Sequence, residues 1–266
     1  MGRNRPTQPG SDRPCARFAA LLGRRAEAII AAPHLAPRPT PTYLHGVPRP
    51  IAVLFDLDGT LVDTVPFILA AVRHTFEGQP RCPTDAEWIA GIGTPLRDQL
   101  LQLAASPELA EPLFQRYRAY WLEHHDAATH LFPGAGQLVR SLKALGHPIA
   151  VVTAKIEAGA ERTLRHVGVR ELVDVVVAAD TVERCKPDPM PVRYALARLD
   201  RTPREAAMIG DSPHDLAAGR GAGTATIGVC WGAASREVLA PLADHLVTRM
   251  EELAPLIAAL QARPHR

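Results

Sequence analysis

The sequence predicts an α/β protein, in which a parallel sheet carries helices on both faces and a helical segment is inserted after the first strand. Three observations predict this class. Short apolar runs recur along the chain, segments with helical spacing separate them, and roughly 90 residues separate the first run from the second. Buried parallel strands are typically continuous apolar runs joined by helical crossovers. An ordinary crossover is far shorter than this first one, which therefore contains an extra domain.

Six apolar runs predict the strands of the sheet. The first, Ile51–Asp56, ends in an acid, which indicates a buried strand with a functional group at its carboxyl end. The other five runs are Pro148–Thr153, Leu172–Ala178, Ala206–Asp211, Thr224–Val229 and His245–Val247. The helices between and after them are predicted at Gln137–Leu145, Glu157–Val167, Pro191–Leu199, Asp215–Arg220 and Arg249–Gln261. This alternation predicts right-handed crossovers on a parallel sheet.

The long gap after the first strand predicts an inserted domain. Four stretches within it have helical spacing, namely Pro66–Phe76, Thr84–Ile89, Leu96–Ala104 and Leu109–His124. None of the gap alternates between polar and apolar residues as a half-buried strand does. We therefore predict an all-helical cap domain over residues 67–132 and a core domain over residues 50–66 and 133–266.

Residues 1–49 lie outside this pattern, and we predict a disordered extension that is rich in Pro and Arg. The first 50 residues contain eight arginines and two acids, a balance of +6. The whole chain carries +2, so the remaining 216 residues carry −4. A targeting peptide would share the Arg-rich composition, and that alternative stays open. The mildly acidic remainder gives little support to nucleic-acid binding.

The cysteine spacing and the hydropathy indicate in which cellular compartment the protein is expected. Cys15, Cys82, Cys185 and Cys230 are widely spaced and form no CxxC pair. This spacing argues against a zinc site or a disulfide framework, so we expect free thiols in a reducing cytoplasm. No apolar run reaches the ~18 residues of a membrane-spanning helix, so we expect no membrane partner. The sequence contains no indication of the oligomeric state.

Polar residues stand where these strands end, and this edge of an open parallel sheet binds ligands. Asp56 and Asp58 are two residues apart, so one carboxylate can attack a substrate while the other moves protons. Gly59 allows a tight turn in which amide N–H groups face an anion. The hydroxyl of Thr153 can donate to an oxygen of a bound anion. Lys186, in the proline-rich RCKPDPMP, is a candidate cation for the charge of such an anion.

The sequence FDLDGTLVDT, at residues 55–64, resembles the first signature motif of the haloacid dehalogenase-like superfamily. The three further family motifs follow in order as AVVTAK with Thr153, KPDP with Lys186, and GDSPHD with Asp211 and Asp215. The resemblance covers Pro50 to about Leu260. It implies a Rossmann-like core and a phosphatase in which Asp56 forms an aspartyl-phosphate and Asp58 is the general acid/base.

The resemblance also implies Mg²⁺ as the cofactor. This ion prefers oxygen ligands and takes only one or two protein carboxylates. The implied ligands are Asp56, Asp211 and the backbone carbonyl of Asp58. Asp215 would bind the metal through water or orient Lys186.

Two further contacts with substrate follow from the resemblance. The family often has Asn after the motif residue Thr153, whereas this chain has Ala154, which leaves a backbone N–H for the contact. In the insertion, Gly91–Arg97 resembles the substrate loop of phosphoglycolate-phosphatase-like members. Arg97 is then a candidate partner for a distant anionic group, and phosphoglycolate is the first substrate to consider.

Other polar residues are interpreted as structural. His124, His125 and His130 cluster near the end of the insertion, and we expect solvated surface histidines. Trp231 and Gly232 follow the fifth predicted strand and are expected to form a structural loop.

Several alternatives stay open beside a phosphatase of small phosphorylated metabolites. The dehalogenase branch lacks the acid that stands here as Asp58. The phosphonoacetaldehyde hydrolase branch uses a cap lysine, and this chain has no lysine between Ile51 and Arg140. A β-phosphoglucomutase-like mutase keeps both acids, and an inorganic pyrophosphatase or a sugar phosphatase also fits. The non-enzymatic alternative is a catalytically silent phosphate-binding protein with the Arg-rich segment as its interaction element.

Overall fold

The structure is a computed structural model that describes residues 49–262. Apart from Arg49, the predicted extension over residues 1–49 lies outside the described residues, and so does Cys15. The strands in this range are β1 (Ala52–Phe55), β2 (Val62–Asp63), β3 (His130–Leu131), β4 (Ile149–Val152), β5 (Val175–Val177), β6 (Ala206–Gly210), β7 (Ala225–Val229) and β8 (His245–Val247).

The α-helices alternate with these strands. They are α1 (Val65–Phe76), α2 (Asp85–Ile89), α3 (Leu96–Leu103), α4 (Ala110–Ala128), α5 (Ala135–Ala144), α6 (Glu157–His166), α7 (Met190–Leu199), α8 (Pro213–Ala222), α9 (Arg236–Leu239) and α10 (Leu253–Gln261). Short 3₁₀ turns lie at Pro107–Leu109, Arg170–Leu172, Pro203–Glu205 and Met250–Glu252. The third predicted strand, Leu172–Ala178, is shorter than expected, because a 3₁₀ turn occupies Leu172 and the strand spans only Val175–Val177.

Six strands form the main sheet in the order β5-β4-β1-β6-β7-β8. Every neighbouring pair is parallel. In the register of the central strand, Val53 lies between Ile149 of β4 and Ala207 of β6. The six predicted strands are therefore all present, and β1 lies at the centre with a polar residue after its carboxyl end.

Alternate residues of β1 point to opposite faces of the sheet. Val53 and Phe55 are buried with side chains of α5, α6 and α10. Ala52 and Leu54 are buried with side chains of α7 and α8 on the other face. Complete burial of a Phe or Leu side chain contributes about 1.5–3 kcal/mol to stability. The predicted α/β class, a Rossmann-like sheet with helices on both faces, is confirmed.

The four helices α1 to α4, called the cap helices below, share an apolar cluster of their own. Phe76, Trp88, Leu100 and Tyr117 come from α1, α2, α3 and α4 respectively and are buried together. The Trp88 ring stacks on the Tyr117 ring at 6.5 Å between centroids. A separate cluster is what an inserted helical domain requires, and the division into a core and a cap domain remains our prediction.

A two-stranded antiparallel sheet lies at the two ends of the cap helices. Val62 of β2 pairs with Leu131 of β3, and Asp63 pairs with His130. No strand is predicted from the sequence between residues 67 and 132, and this prediction is wrong for β3. A strand of two residues is too short to show the alternation that identifies strands in sequence. Within residues 49–262, no helix is long and apolar enough to cross a membrane.

Candidate active site

Three polar residues lie side by side where the central strands end. Thr153, Asp56 and Asp211 directly follow β4, β1 and β6, which are neighbours in the sheet. Because these strands are parallel, their carboxyl ends meet at one edge. All three side chains are buried. The fold thus brings together residues that are distant in the sequence.

Lys186 is the cation of this edge. Its Nζ donates to Asp56 Oδ1 at 2.8 Å, to Asp215 Oδ1 at 2.5 Å and to the Val152 carbonyl at 3.0 Å. Burial alone would lower the pKa of Lys186, but the charges of Asp215 and Asp56 outweigh it and raise the pKa above its ordinary value. Lys186 is therefore a buried ammonium held by three acceptors.

Asp56, Asp211 and Asp215 form a buried carboxylate cluster, with oxygen atoms within 4.8 Å of one another. Burial and then the charge of Asp215 raise the pKa of Asp56 well above its ordinary value, although Lys186 opposes them. The same two causes raise the pKa of Asp211 to about 7. When all three are ionised, one neighbouring ammonium leaves an excess of negative charge, which adds to the effect of burial on these pKa values.

Hydrogen bonds orient the two later carboxylates. Asp211 Oδ1 accepts from the Thr60 hydroxyl at 3.0 Å, and its Oδ2 accepts from the Ala233 amide at 2.6 Å. Asp215 Oδ2 accepts from the Ser212 amide at 3.0 Å and from the Ser212 hydroxyl at 2.6 Å. Ser212 is the N-cap of α8, so the start of this helix and the acid are fixed together.

Gly59 makes the turn that follows Asp58. Its φ is +82°, and a Cβ at this position would lie 2.1 Å from Asp211 Oδ2. Glycine is required on both counts, since only it combines this backbone conformation with such a close approach. The Gly59 amide donates to the Val62 carbonyl at 2.8 Å. If this amide also contacts substrate, as predicted, its N–H must be shared between the substrate and the Val62 carbonyl.

Asp58 does not join the carboxylate cluster. Its Oδ1 accepts from the Thr64 hydroxyl at 2.7 Å and from Lys155 Nζ at 2.8 Å. Lys155 also donates its amide to the Thr153 hydroxyl at 3.2 Å, across the partly buried Ala154. The sequence pattern does not single out Lys155, which stands in the AVVTAK motif but meets its partner only in the folded chain.

Comparison with known proteins decides the family, because residues 53–229 match the family model of the haloacid dehalogenase-like hydrolases. The chain belongs to this family. The pyrophosphatase PpaX of Bacillus velezensis is 36% identical to it over 211 residues, which are 77% of this chain and 95% of that protein. This membership and the phosphatase names of its relatives confirm the prediction of an enzyme of the phosphatase type.

Solved structures of haloacid dehalogenase-like proteins share the fold. A hydrolase of this family from Streptococcus pneumoniae is 25% identical, with a TM-score of 0.68 over 77% of this chain and 98% of that one. A protein from Haemophilus somnus described as a predicted phosphoglycolate phosphatase is 21% identical, with a TM-score of 0.69 over 77% and 96%. At this identity the second comparison shows the fold alone.

The glycine-rich loop that resembled a family substrate loop lies against the active-site edge. A Cβ on Gly93 would be 2.5 Å from Ser212 Oγ and 3.3 Å from His214 Cβ. Arg97 at the end of this segment forms an ion pair with Glu111, and its guanidinium lies 3.8 Å from the centroid of the Phe114 ring. The loop therefore lies near the haloacid dehalogenase-like motifs, while the role of Arg97 towards substrate remains a prediction.

His125 is completely buried, so the prediction of a solvated histidine is wrong for this residue. Its Nε2 lies 2.8 Å from the Thr163 hydroxyl oxygen, and its Nδ1 lies 2.6 Å from Asp126 Oδ1. The ring also packs on Trp121 at 4.2 Å between centroids. Trp121 and His125 are one helical turn apart, so their shared spacing indicated a packed face of α4.

Proposed function

We propose that the chain is a Mg²⁺-dependent phosphatase that hydrolyses a small phosphorylated metabolite through an aspartyl-phosphate on Asp56. The observation that carries this proposal is the contact of Asp56 with Lys186 beside Asp211 and Asp215. It combines a nucleophile, a fixed cation and oxygen ligands at the ligand-binding edge of the sheet. Asp58 supplies a second carboxylate two residues further on.

The carboxylate cluster fits Mg²⁺. Its oxygen atoms are hard ligands within 4.8 Å of one another, and their excess negative charge suits a dication. Asp56, Asp211 and the backbone carbonyl of Asp58 would hold the ion. Asp215 already bonds to Lys186 and Ser212, so it would act through water or through Lys186. When bound, Mg²⁺ neutralises charge on the transferring phosphoryl oxygens.

In the first step, Asp56 attacks the phosphorus atom, and the bond from phosphorus to the leaving oxygen breaks. Lys186 is fixed by Asp56 and Asp215, so it stabilises charge on the equatorial oxygens without reorganising. The Thr153 hydroxyl and the Ala154 amide would donate to the same oxygens. Asp58 gives its proton to the leaving oxygen.

In the second step, Asp58 accepts a proton from water, and the water oxygen attacks the phosphorus of the aspartyl-phosphate. The bond between phosphorus and Asp56 breaks, phosphate departs, and Asp58 is protonated again. Two steps with low barriers replace one with a high barrier, which is the advantage of covalent catalysis.

Inorganic pyrophosphate is the substrate that we propose to test first, with phosphoglycolate second. The pyrophosphatase PpaX of Bacillus velezensis aligns with this chain over 95% of its own length at 36% identity. Recognition of phosphoglycolate would depend on Arg97, whose guanidinium already forms an ion pair with Glu111. A distant substrate carboxylate would have to compete with Glu111 for that cation.

We also propose that residues 67–132 form a cap domain over a core of residues 50–66 and 133–266. The apolar cluster of the cap helices supports this division. A cytoplasmic location is proposed as well, in keeping with free thiols at Cys82 and Cys230.

The test is phosphate release from pyrophosphate, phosphoglycolate and sugar phosphates, with Mg²⁺ and with a chelator. We expect phosphate release that requires Mg²⁺ and that disappears in Asp56→Asn, which lacks the attacking carboxylate. Interconversion of glucose phosphates without net release would instead support the mutase. Absence of both reactions would support a silent phosphate-binding protein and contradict the proposal.

A further inference from the structure

Asp58 is held by a lysine that has no part in the mechanism above. Lys155 Nζ and the Thr64 hydroxyl both donate to Asp58 Oδ1, at 2.8 and 2.7 Å. The Lys155 and Asp58 side chains are only 14% and 15% exposed. Screening by water is reduced for such a pair, so it restrains Asp58 more firmly than a surface ion pair would. Because both donors use Oδ1, Oδ2 is the oxygen that remains for proton transfer.

Lys155 is in turn held by one contact from α6 and one from α4. Its Nζ donates to the Thr163 hydroxyl oxygen at 3.4 Å and lies 5.5 Å from the centroid of the Trp121 ring. Thr163 belongs to α6 of the core, whereas Trp121 belongs to α4. A lysine side chain is long and flexible, so contacts of this kind are needed to fix its ammonium.

His125 completes the chain of contacts. Thr163 and His125 are both completely buried, and the Thr163 hydroxyl oxygen lies 2.8 Å from His125 Nε2. Burial lowers the pKa of His125, which favours the neutral ring. A neutral ring that donates from Nδ1 to Asp126 accepts at Nε2 from the Thr163 hydroxyl. Each of the three contacts then joins one donor to one acceptor, in the order Lys155, Thr163, His125 and Asp126.

We propose that Lys155 is the positioning residue of Asp58, and that Thr163 and His125 fix Lys155, so that α4 helps to set the acid/base. The proposal rests on the proposed function, because it requires Asp58 to transfer the protons. Asp58 acts first on the leaving group and then on water. The two roles depend differently on the leaving group, and this difference distinguishes positioning from a general loss of structure.

The test compares wild type and Lys155→Met on an alkyl phosphate and on p-nitrophenyl phosphate in rapid-mixing experiments. Nitrophenolate departs without a proton. Lys155→Met should therefore release one equivalent of nitrophenolate per active site in a burst and then hydrolyse the substrate slowly. On the alkyl phosphate, both steps need Asp58, so kcat should fall about 100-fold without a burst. Lys155→Arg should recover part of kcat, and Thr163→Val should show the same pattern more weakly.

Controls separate the possible failures. Lys143→Met removes another lysine that pairs with an acid, Asp174, and Thr75→Val removes another buried helical hydroxyl. Both should retain wild-type kinetics. Two results would overturn this inference while wild type remains active. One is an equal loss of kcat on both substrates without a burst. The other is an unchanged kcat in Lys155→Met and Thr163→Val. A wild type that is inactive on these substrates and also on pyrophosphate, phosphoglycolate and sugar phosphates would instead overturn the proposed function.

Discussion

The ammonium nitrogen of Lys186 lies 2.8 Å from Asp56 Oδ1, and both side chains are almost completely buried. Lys186→Met would leave Asp56 and Asp215 without this countercharge, and breaking a buried pair typically costs about 3–5 kcal/mol. We expect a lower melting temperature and loss of phosphate release by at least about 100-fold.

Thermal unfolding and phosphate release measure both effects, with Lys143→Met as the control, because the Lys143–Asp174 pair is about one-third exposed. A Lys186→Met protein with wild-type release would contradict the assignment of Lys186.

Gly59 and Gly78 form a matched pair for substitution by alanine. Both have positive φ, +82° and +77°, but a Cβ meets Asp211 only at Gly59, and nothing lies within 4 Å at Gly78. Each alanine carries about 1–3 kcal/mol of backbone strain. Gly59→Ala should in addition displace Asp211 and reduce phosphate release at least tenfold, whereas Gly78→Ala should only lower stability. Equal activities of the two variants would show that the close approach is unimportant.

Asp211→Asn should stabilise the protein in the presence of a chelator. The folded-state pKa of Asp211 is raised from 3.8 to about 7, so its ionisation penalises the folded state increasingly as the pH rises between these values. The gain in melting temperature should therefore be absent below about pH 4 and complete above about pH 7. Added Mg²⁺ should stabilise wild type more than the variant. The exposed Asp63→Asn serves as the control, and a variant less stable than wild type at pH 8 with chelator would refute the prediction.

His147 should contribute to acid destabilisation independently of the active site. It is buried, and its Nδ1 lies 2.8 Å from the Ile51 carbonyl oxygen. Burial lowers its pKa below 6.5, so its contribution to stability is present above that pH and is lost as the pH falls through the lowered folded-state value. The unfolding free energy should thus fall less steeply below pH 6.5 in His147→Gln than in wild type. The exposed His130→Gln should keep the wild-type slope, and parallel slopes for all three proteins would exclude this role.

The sheet could be predicted from the sequence because each buried strand is a continuous apolar run. The ends of these runs also predicted where Asp56, Thr153 and Asp211 would lie, since parallel strands bring their carboxyl ends to one edge. The contacts of Lys186 with Asp56 and Asp215 agree with the expectation that one acid orients the lysine.

Other features depend on tertiary contacts that leave little trace in sequence. Lys155 meets Asp58 across 97 positions of the chain, and nothing in either local pattern specifies that pairing. His125 lies among other histidines, a composition typical of a solvated surface, but its helical phase places it on a packed face. Its spacing from Trp121, one turn earlier, was the available signal.

The pairing of Val62 with Leu131 means that the segment between these residues begins and ends at adjacent points. The intervening 68 residues therefore form a loop whose ends are already closed. Insertions of another length or composition could be accommodated there without stretching β1 or shifting the residues after it. If residues 67–132 form the cap domain proposed above, exchange of this segment changes the groups around the substrate and leaves the reacting groups after the strands unchanged.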